Sequence, residues 1–360
     1  MKIIGTPQRY IQGVGALEEM GAVLHTLGQK PFFLADTVVM EIVRPRLEKM
    51  LQTEHLEGVF AIFQGECSHK EIDRLAEKCR EKSCNIVVGL GGGKTSDTTK
   101  GIKLRLGLPS IIAPTIASND SPTSRVIPIY SENGELVDVK ILPINPEVVL
   151  VDTAIIASAP FRFLAAGMGD ALATKFETEQ CYQSGALNFF KARACQAAIA
   201  LSDACYQMIR KYGVAAKKAI ADGIVNEAVE QVVEANIFLS GVGFESGGLA
   251  AAHALNHGFT MVQEPPRSLH GENVAFGLLV QLVLEKRGQQ FFDDIIPFYK
   301  EIGLPCTLEQ IGLKSLATTQ LNAIVERACR KGSYIYHMTV PIDEQRVKDA
   351  ILTADKLGQV

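Results

Sequence analysis

Short, continuous runs of apolar residues alternate with amphipathic stretches through roughly the first 150 residues of the chain. Such runs predict buried strands, because a strand covered on both faces needs apolar side chains at nearly every position. The predicted strands are 31–36, 85–90, 109–115 and 147–152. The stretches between them, 95–106 among these, predict helices. This alternation predicts an α/β region with a parallel, doubly wound (Rossmann-like) sheet.

Two local motifs refine that region. The sequence SHKE at 68–71 has the pattern of a capping box, and apolar residues follow it at helical spacing, which predicts a helix there. The sequence SENGE at 131–135 predicts the turn of an antiparallel hairpin inserted into the parallel sheet.

The pattern changes at about Ser158, where strand-like runs give way to long stretches rich in Ala, Leu, Glu and Lys. Helical periodicity covers 160–180, 188–212, 226–262, 272–301 and 343–357. We therefore expect an α/β domain over 1–157 and an all-α domain over 158–360. The cleft between them, facing the carboxyl ends of the strands, is the expected active site.

Charge and targeting signals narrow the classes of protein. The 360 residues carry 36 basic and 40 acidic side chains, a net charge of −4 without a basic cluster, which argues against a nucleic-acid partner. Neither a signal peptide nor a membrane span is evident, so we expect a cytoplasmic protein. The eight cysteines lack a C-x-x-C pair, and buried, reduced thiols are favoured over a catalytic or zinc-binding role.

A glycine-rich loop at 89–95 follows a predicted strand and opens a predicted helix. Glycines let the backbone approach a diphosphate, and a helix N-terminus offers unpaired N–H groups, so we favour diphosphate binding over a tight turn without a ligand. Val88 and Ser96 exclude the two common phosphate-loop patterns. Asp36, at the end of the 31–36 strand, is suited to ribose hydroxyls and would favour NAD over NADP, although a solvated acid is an equal alternative.

One acid and several histidines stand out in the helical half. Asp170 lies among small apolar residues without a cation at helical spacing, a costly position for an unpaired carboxylate. His253 and His257 share a helix face, and His270 precedes another helix. Two imidazoles and a carboxylate form a typical catalytic set for a divalent metal, although each histidine alone could be a hydrogen-bonded core residue. The H-E-x-x-H motif of zinc proteases is absent.

Six segments together carry a resemblance to a known family. In chain order to about position 280 they are YIQG, GGGKTSDTTK, APTIASNDSP, GDALAT, SGVGFESGGLAAAHA and HGENVAFG. On these segments the chain resembles the metal-dependent, iron-containing-type alcohol dehydrogenase superfamily, with its dehydroquinate synthase-like architecture, and within it the glycerol dehydrogenases. The resemblance implies NAD, a zinc ion (or Fe²⁺ or another divalent metal) in the cleft, and a homo-oligomer, commonly an octamer.

The resemblance also implies roles for individual residues. Asp170, His253 and His270 match the metal ligands, and together with Asp120 they match the catalytic and substrate-binding set. The implied dinucleotide contacts are Asp36, Gly92, Gly93, Lys94, Thr115, Ser118, Ser124, Val126 and Tyr130, the last three toward the nicotinamide.

The function expected from this resemblance is NAD-dependent oxidation of a secondary hydroxyl of a vicinal diol or polyol, such as glycerol to dihydroxyacetone. The metal would acidify the hydroxyl, NAD would accept the hydride, and Asp120 would hold the neighbouring hydroxyl. The alternatives are a phosphopolyol dehydrogenase of the glycerol-1-phosphate type using Arg125 and Arg267, a dehydroquinate synthase-like lyase, and a silent NAD-binding scaffold. His257 could relay a proton or be structural.

Overall fold

The computed structural model describes residues 1–132, 134–264 and 267–359. The strands are β1 (Arg9–Gly13), β2 (Pro31–Ala35), β3 (Val59–Ile62), β4 (Ile86–Gly91), β5 (Ser110–Pro114), β6 (Val126–Tyr130), β7 (Leu136–Ile141) and β8 (Val148–Asp152). The helices up to the last strand are α1 (Met20–Leu27), α2 (Thr37–Thr53), α3 (His69–Glu81) and α4 (Gly93–Leu106). The later helices are α5 (Thr153–Ser158), α6 (Phe161–Ser184), α7 (Gln196–Ala221), α8 (Glu227–Glu234), α9 (Ser240–Gly247), α10 (Ala251–Val262), α11 (His270–Leu284), α12 (Gln289–Ile302), α13 (Thr318–Ala328) and α14 (Glu344–Gln359).

Six of the strands form one sheet in the order β1-β8-β5-β4-β2-β3, and every pair in it is parallel. This confirms the predicted doubly wound sheet. The four strands predicted from continuous apolar runs are its central strands, and each is buried throughout. The two edge strands, β1 and β3, were not predicted. The sequence of β1, RYIQG, is interrupted by polar residues, whereas β3, VFAI, is apolar but only four residues long.

The hairpin and the N-terminal cap of α3 were predicted in outline. β6 and β7 pair antiparallel on either side of the predicted turn, of which Asn133 lies outside the described residues. Ser68 caps α3 by accepting a hydrogen bond from the Glu71 amide at 3.2 Å, as predicted. The reciprocal half of the capping box is wrong, because the Glu71 carboxylate instead accepts from the Gln64 amide and from Arg74.

The second half is helical, as predicted, and the change from strands to helices falls at Asp152, where β8 ends and α5 begins. Two long predicted helices, 226–262 and 272–301, are each divided. The first contains a π-helical turn at Ala235–Leu239 and then breaks at Gly248, whose φ of +106° ends α9. The second breaks near Lys286, which also has a positive φ, of 57°. Apolar periodicity continues across these breaks, since the segments on both sides are buried, so the periodicity alone hid them.

The core of the helical half continues onto the sheet. Ile112 of β5 and Val149 of β8 belong to the same buried cluster as α6, α10 and α11. Among the residues described, none of the helices combines the length and the apolar character that a membrane span requires. The eight cysteines are free and six of them are buried, in agreement with the predicted reduced thiols. A domain boundary at 157/158 stays a prediction.

Candidate active site

Three helices bring the predicted metal-binding side chains together. Asp170 on α6, His253 on α10 and His270 on α11 each offer a ligand atom, and these atoms lie within 4.8 Å of one another. The Nε2 atoms of His253 and His270 are 3.2 and 3.3 Å from Asp170 Oδ1. Residues far apart in the sequence therefore form one cluster, as the resemblance implies for a metal site.

The close approach of α6 and α11 depends on the small residues around these ligands. A Cβ atom added to Gly271, next to His270, would lie 1.8 Å from the backbone oxygen of Ala166 on α6. The two helices therefore touch through their backbones at this point. The small-residue segment before Asp170 thus has a packing reason, because it lets the two ligand-bearing helices meet.

The chemistry of this cluster fits a divalent cation. Asp170 is fully buried, and neither of its carboxylate oxygens has a hydrogen-bond partner within the described part of the chain. A buried carboxylate in such a position needs a compensating cation. Two imidazole nitrogens and one carboxylate oxygen are the donor set of catalytic zinc and non-haem iron sites. The arrangement is consistent with a divalent metal bound by three protein ligands.

Electrostatics within the cluster favour the charged form of the acid. Burial raises the pKa of Asp170, but the charge of His270 and the close approach of both imidazoles to Asp170 Oδ1 outweigh it, so the net shift is downward. Burial lowers the pKa of His253, and the carboxylates of Glu177 and Asp170 more than reverse that effect. Asp170 is therefore an anionic ligand even before an ion is considered.

Glu177 is a functional residue that the sequence analysis missed. Its Oε2 accepts a hydrogen bond from His253 Nδ1 at 2.6 Å, and its Oε1 accepts from the backbone amides of Ala250 and His253. A proton held on Nδ1 leaves the Nε2 lone pair directed at the cluster, which is how outer carboxylates orient metal-binding histidines. The available signal was spacing, since Glu177 follows Asp170 by two helical turns on one face of α6.

The three side chains of the cluster differ in their exposure to solvent. The side chains of Asp170 and His253 are 1% and 9% exposed, whereas that of His270 is 39% exposed. His270 Nδ1 is 3.3 Å from the side-chain amide of Asn256, which steadies the ring. His270 is therefore the most solvent-accessible member of the cluster.

Asp120 lies beside this cluster on the loop between β5 and β6. It is buried, and its Oδ2 accepts a hydrogen bond from Ser240 Oγ at 2.6 Å. Burial and the charge of Asp170 raise the pKa of Asp120.

His257 is outside the metal-binding cluster, and its ring centre lies 6.3 Å from that of Tyr334. Burial and the nearby charge of His253 lower the pKa of His257 to about 3.

The predicted dinucleotide contacts lie mostly along one edge of the sheet. Asp36, Gly92 and Thr115 directly follow β2, β4 and β5, which are neighbouring strands. Parallel strands place their carboxyl ends at the same edge, where α/β proteins bind nucleotides. Of the other predicted contacts, Ser118 and Ser124 are buried in the β5–β6 loop. Val126 and Tyr130 are the first and last residues of the half-buried strand β6.

The glycine loop forms a tight entry into α4. Gly92 caps the helix and Gly93 is its first residue, where an added Cβ would lie 2.6 Å from the Asn119 amide nitrogen. A larger residue here would have to displace the Asn119 side chain of the β5–β6 loop. Lys94 is 58% exposed and pairs with Glu66 at 2.6 Å, so its ammonium group lies at the surface beside the helix N-terminus.

Asp36 has a structural role that the sequence analysis did not consider. Its Oδ1 accepts a hydrogen bond from the Val39 amide at 2.9 Å and so caps α2. A cap explains an acid at this position without a ligand. It does not prevent a ribose contact, since a carboxylate has a second oxygen.

The phosphate role considered for Arg125 is wrong. Its guanidinium is buried, donates to Glu245 Oε1 at 2.9 Å and to the backbone oxygens of Leu142 and Phe189, and lies 3.7 Å from the ring centre of Phe190. All three of its nitrogens are thus engaged within the protein. The other candidate, Arg267, donates to the backbone oxygens of Gln263 and Gly134.

Comparison with known proteins agrees with this fold. The family model described as iron-containing alcohol dehydrogenase matches residues 7–153. The glycerol dehydrogenase of Citrobacter freundii is 42% identical over 359 residues, covering 100% of this chain and 98% of the relative. The chain belongs to the iron-containing alcohol dehydrogenase family, and the predicted class of enzyme is confirmed.

Several of the relatives that match over the full length are glycerol dehydrogenases. The glycerol dehydrogenase of Thermotoga maritima is also 42% identical, with 98% of this chain and 97% of the relative covered. The crystal structure of glycerol dehydrogenase from Schizosaccharomyces pombe matches with a TM-score of 0.96 at 36% identity, covering 100% of this chain and 91% of that one. The predicted resemblance is therefore confirmed over the whole chain.

Proposed function

We propose that this chain oxidises a secondary hydroxyl of glycerol, or of a closely related vicinal diol, with NAD as hydride acceptor and a divalent metal ion at Asp170, His253 and His270. The observation that carries the proposal is the convergence of these three side chains beside Asp120. The glycerol dehydrogenases that match over the full length support glycerol as the substrate.

The chain's own residues would divide the work as follows. A divalent ion, when bound, supplies Lewis acidity that lowers the pKa of a substrate hydroxyl, and NAD accepts the hydride. Asp170 provides the negative charge of the metal-binding set, and Glu177 keeps His253 in the tautomer that presents Nε2. Asp120 accepts a hydrogen bond from the neighbouring hydroxyl and so orients the reacting carbon. We propose zinc as the resident ion, although the same donor set also suits Fe²⁺.

The dinucleotide would lie along the carboxyl edge of the sheet. The N-terminus of α4 at Gly92 and Gly93 faces the diphosphate, and Lys94 leaves its pair with Glu66 to bind a phosphate oxygen. The remaining proposed contacts are Asp36, Thr115 and Ser118, with Ser124, Val126 and Tyr130 toward the nicotinamide. The proposal thus places the hydride acceptor between the glycine loop and the β5–β6 loop.

The first test is substrate choice. With NAD and the metal-loaded enzyme, we expect reduction of NAD by glycerol and 1,2-propanediol, and a kcat/KM for glycerol 1-phosphate lower by about 100-fold or more. A phosphate dianion would meet the buried carboxylates of Asp120 and Asp170, which is costly, while Arg125 is already paired with Glu245. Steady-state absorbance of NADH measures this. Preference for the phosphate ester would contradict the proposal and favour the phosphopolyol alternative.

A second test concerns the choice of dinucleotide. Replacing Asp36 with Ser keeps a helix-capping oxygen for α2 but removes the negative charge that would repel a 2′-phosphate. We expect the ratio of kcat/KM for NADP to that for NAD to rise about tenfold, with an unchanged thermal midpoint. Asp36→Glu, which retains the charge, serves as the control. An unchanged ratio in Asp36→Ser would remove Asp36 from the dinucleotide site and leave it a helix cap.

Two alternatives receive less support from the site. A dehydroquinate synthase-like lyase needs several cations around an anionic substrate, whereas Asp120 and Asp170 dominate here and Arg125 is engaged elsewhere. A silent scaffold would not need three converging metal-binding side chains. The homo-oligomeric state and the cytoplasmic location stay predictions.

A further inference from the structure

The π-helical turn at Ala235–Leu239 binds the loop that carries Asp120. The side-chain amide of Asn236 donates to the backbone oxygen of Ala117 at 3.1 Å and to that of Leu164, near the start of α6, at 3.0 Å. The backbone oxygen of Ile237 accepts from Thr123 Oγ1 at 3.1 Å. Both ends of the segment 117–123 are therefore fixed to one turn.

The residue after that turn touches Asp120 directly. Ser240 Oγ lies 2.6 Å from Asp120 Oδ2 and 2.9 Å from Thr174 Oγ1, and both hydroxyl-bearing residues are fully buried. Ser240 is the donor in its bond to Asp120, and because a hydroxyl has a single hydrogen, Ser240 then accepts from Thr174. Thr174 lies one helical turn after Asp170 on α6. The chain of hydrogen bonds thus links the orientation of Asp120 to the helix that carries the metal-binding acid.

We propose that Ser240 is a positioning residue that gives vicinal diols their advantage over alcohols with a single hydroxyl. By holding Oδ2, it fixes the rotation of the Asp120 carboxylate and leaves Oδ1 to accept from the second hydroxyl of the substrate. This inference rests on the proposed function, because it assigns the second hydroxyl to Asp120. Ser240 contacts Asp120, not the substrate, and acts only by orienting that carboxylate.

The test compares two substrates of nearly equal shape. In 2-butanol a methyl group replaces the second hydroxyl of 1,2-propanediol, so only the diol can use Asp120. For Ser240→Ala we expect kcat/KM for the diol to fall about tenfold, mainly through KM, with the value for 2-butanol changed less than about twofold. The matched control is Ser202→Ala, which removes an equally buried hydroxyl that bonds Ala198 and Thr178 instead. Its ratio of diol to 2-butanol activity stays at the wild-type value.

A double-mutant cycle on the diol alone completes the test. Once Asp120→Asn has removed the carboxylate, adding Ser240→Ala should change kcat/KM by less than about twofold, because coupled residues are not additive. Metal content measured by mass spectrometry should equal that of the wild type in Ser240→Ala. Additive effects in the cycle, or equal losses for both substrates, would overturn the role of Ser240. Absence of diol oxidation in the wild-type enzyme would instead refute the proposed function.

Discussion

Replacing Asp170 with Asn should abolish bound divalent metal and lower NAD-linked glycerol oxidation by about 1,000-fold or more. The carboxylate is the anionic member of the cluster, and its amide replacement leaves two neutral imidazoles to hold a dication. Loss of the ion removes several kcal/mol of stabilisation from the developing alkoxide, and each 1.36 kcal/mol corresponds to about tenfold in rate. Metal content by mass spectrometry and NADH absorbance measure the two effects.

His253→Ala should behave like Asp170→Asn, and His257→Ala provides the matched control. Both histidines lie on α10, one turn apart, but His257 is outside the cluster. Full metal content in His257→Ala alongside metal loss in His253→Ala would therefore locate the site. If Asp170→Asn or His253→Ala retained full metal content and glycerol oxidation, the assignment of the metal site would be wrong.

Replacing Gly271 with Ala should destabilise the protein by about 3 kcal/mol or more and displace His270 from the cluster. Alanine is intrinsically favoured over glycine in a helix by about 1 kcal/mol, so the local preference alone predicts stabilisation. The added Cβ, however, would lie 1.8 Å from a backbone oxygen of α6, which cannot move aside as a flexible side chain can. The helices α6 and α11 must therefore separate. A lower thermal midpoint together with reduced metal content would show this.

The same substitution at Gly288 is the control. Gly288 precedes α12 with a φ of −67°, and an added Cβ there has no heavy atom within 4 Å. Gly288→Ala should cost less than about 1 kcal/mol and leave metal content unchanged. A Gly271→Ala protein as stable as the wild type would mean that α6 and α11 are not held together at this contact.

The parts of the fold that were predicted are those in which burial leaves a simple pattern in the sequence. The central strands are covered on both faces and are apolar at nearly every position. At the edges, β1 is interrupted by polar residues and β3 is an apolar run of only four residues. In the helical half, the sequence showed the helical periodicity but not the positions at which the helices break. A single positive φ at Gly248 ends a helix without altering the hydrophobic spacing on either side.

The candidate site shows a similar division. Asp170, His253 and His270 are unusual in their sequence surroundings, so their chemistry was visible, and the resemblance grouped them before the structure brought them together. Glu177 and Ser240 were missed because their importance comes from a contact with a residue far along the chain. Arg125 was misread for the same reason, since its partner Glu245 is 120 positions away.

The spacing of three residues along helix α6 sets the geometry of the site. This helix carries the metal-binding acid, the hydroxyl that begins the hydrogen-bond chain to Asp120, and the carboxylate that orients His253, at positions 170, 174 and 177. Each added residue turns a helix by about 100° and advances it by about 1.5 Å. An insertion or deletion of one residue in this segment would thus turn Glu177 away from His253 while Asp170 stayed in place. The seven-residue spacing between Asp170 and Glu177 is consequently fixed by chemistry, even where the individual apolar side chains between them are free to vary.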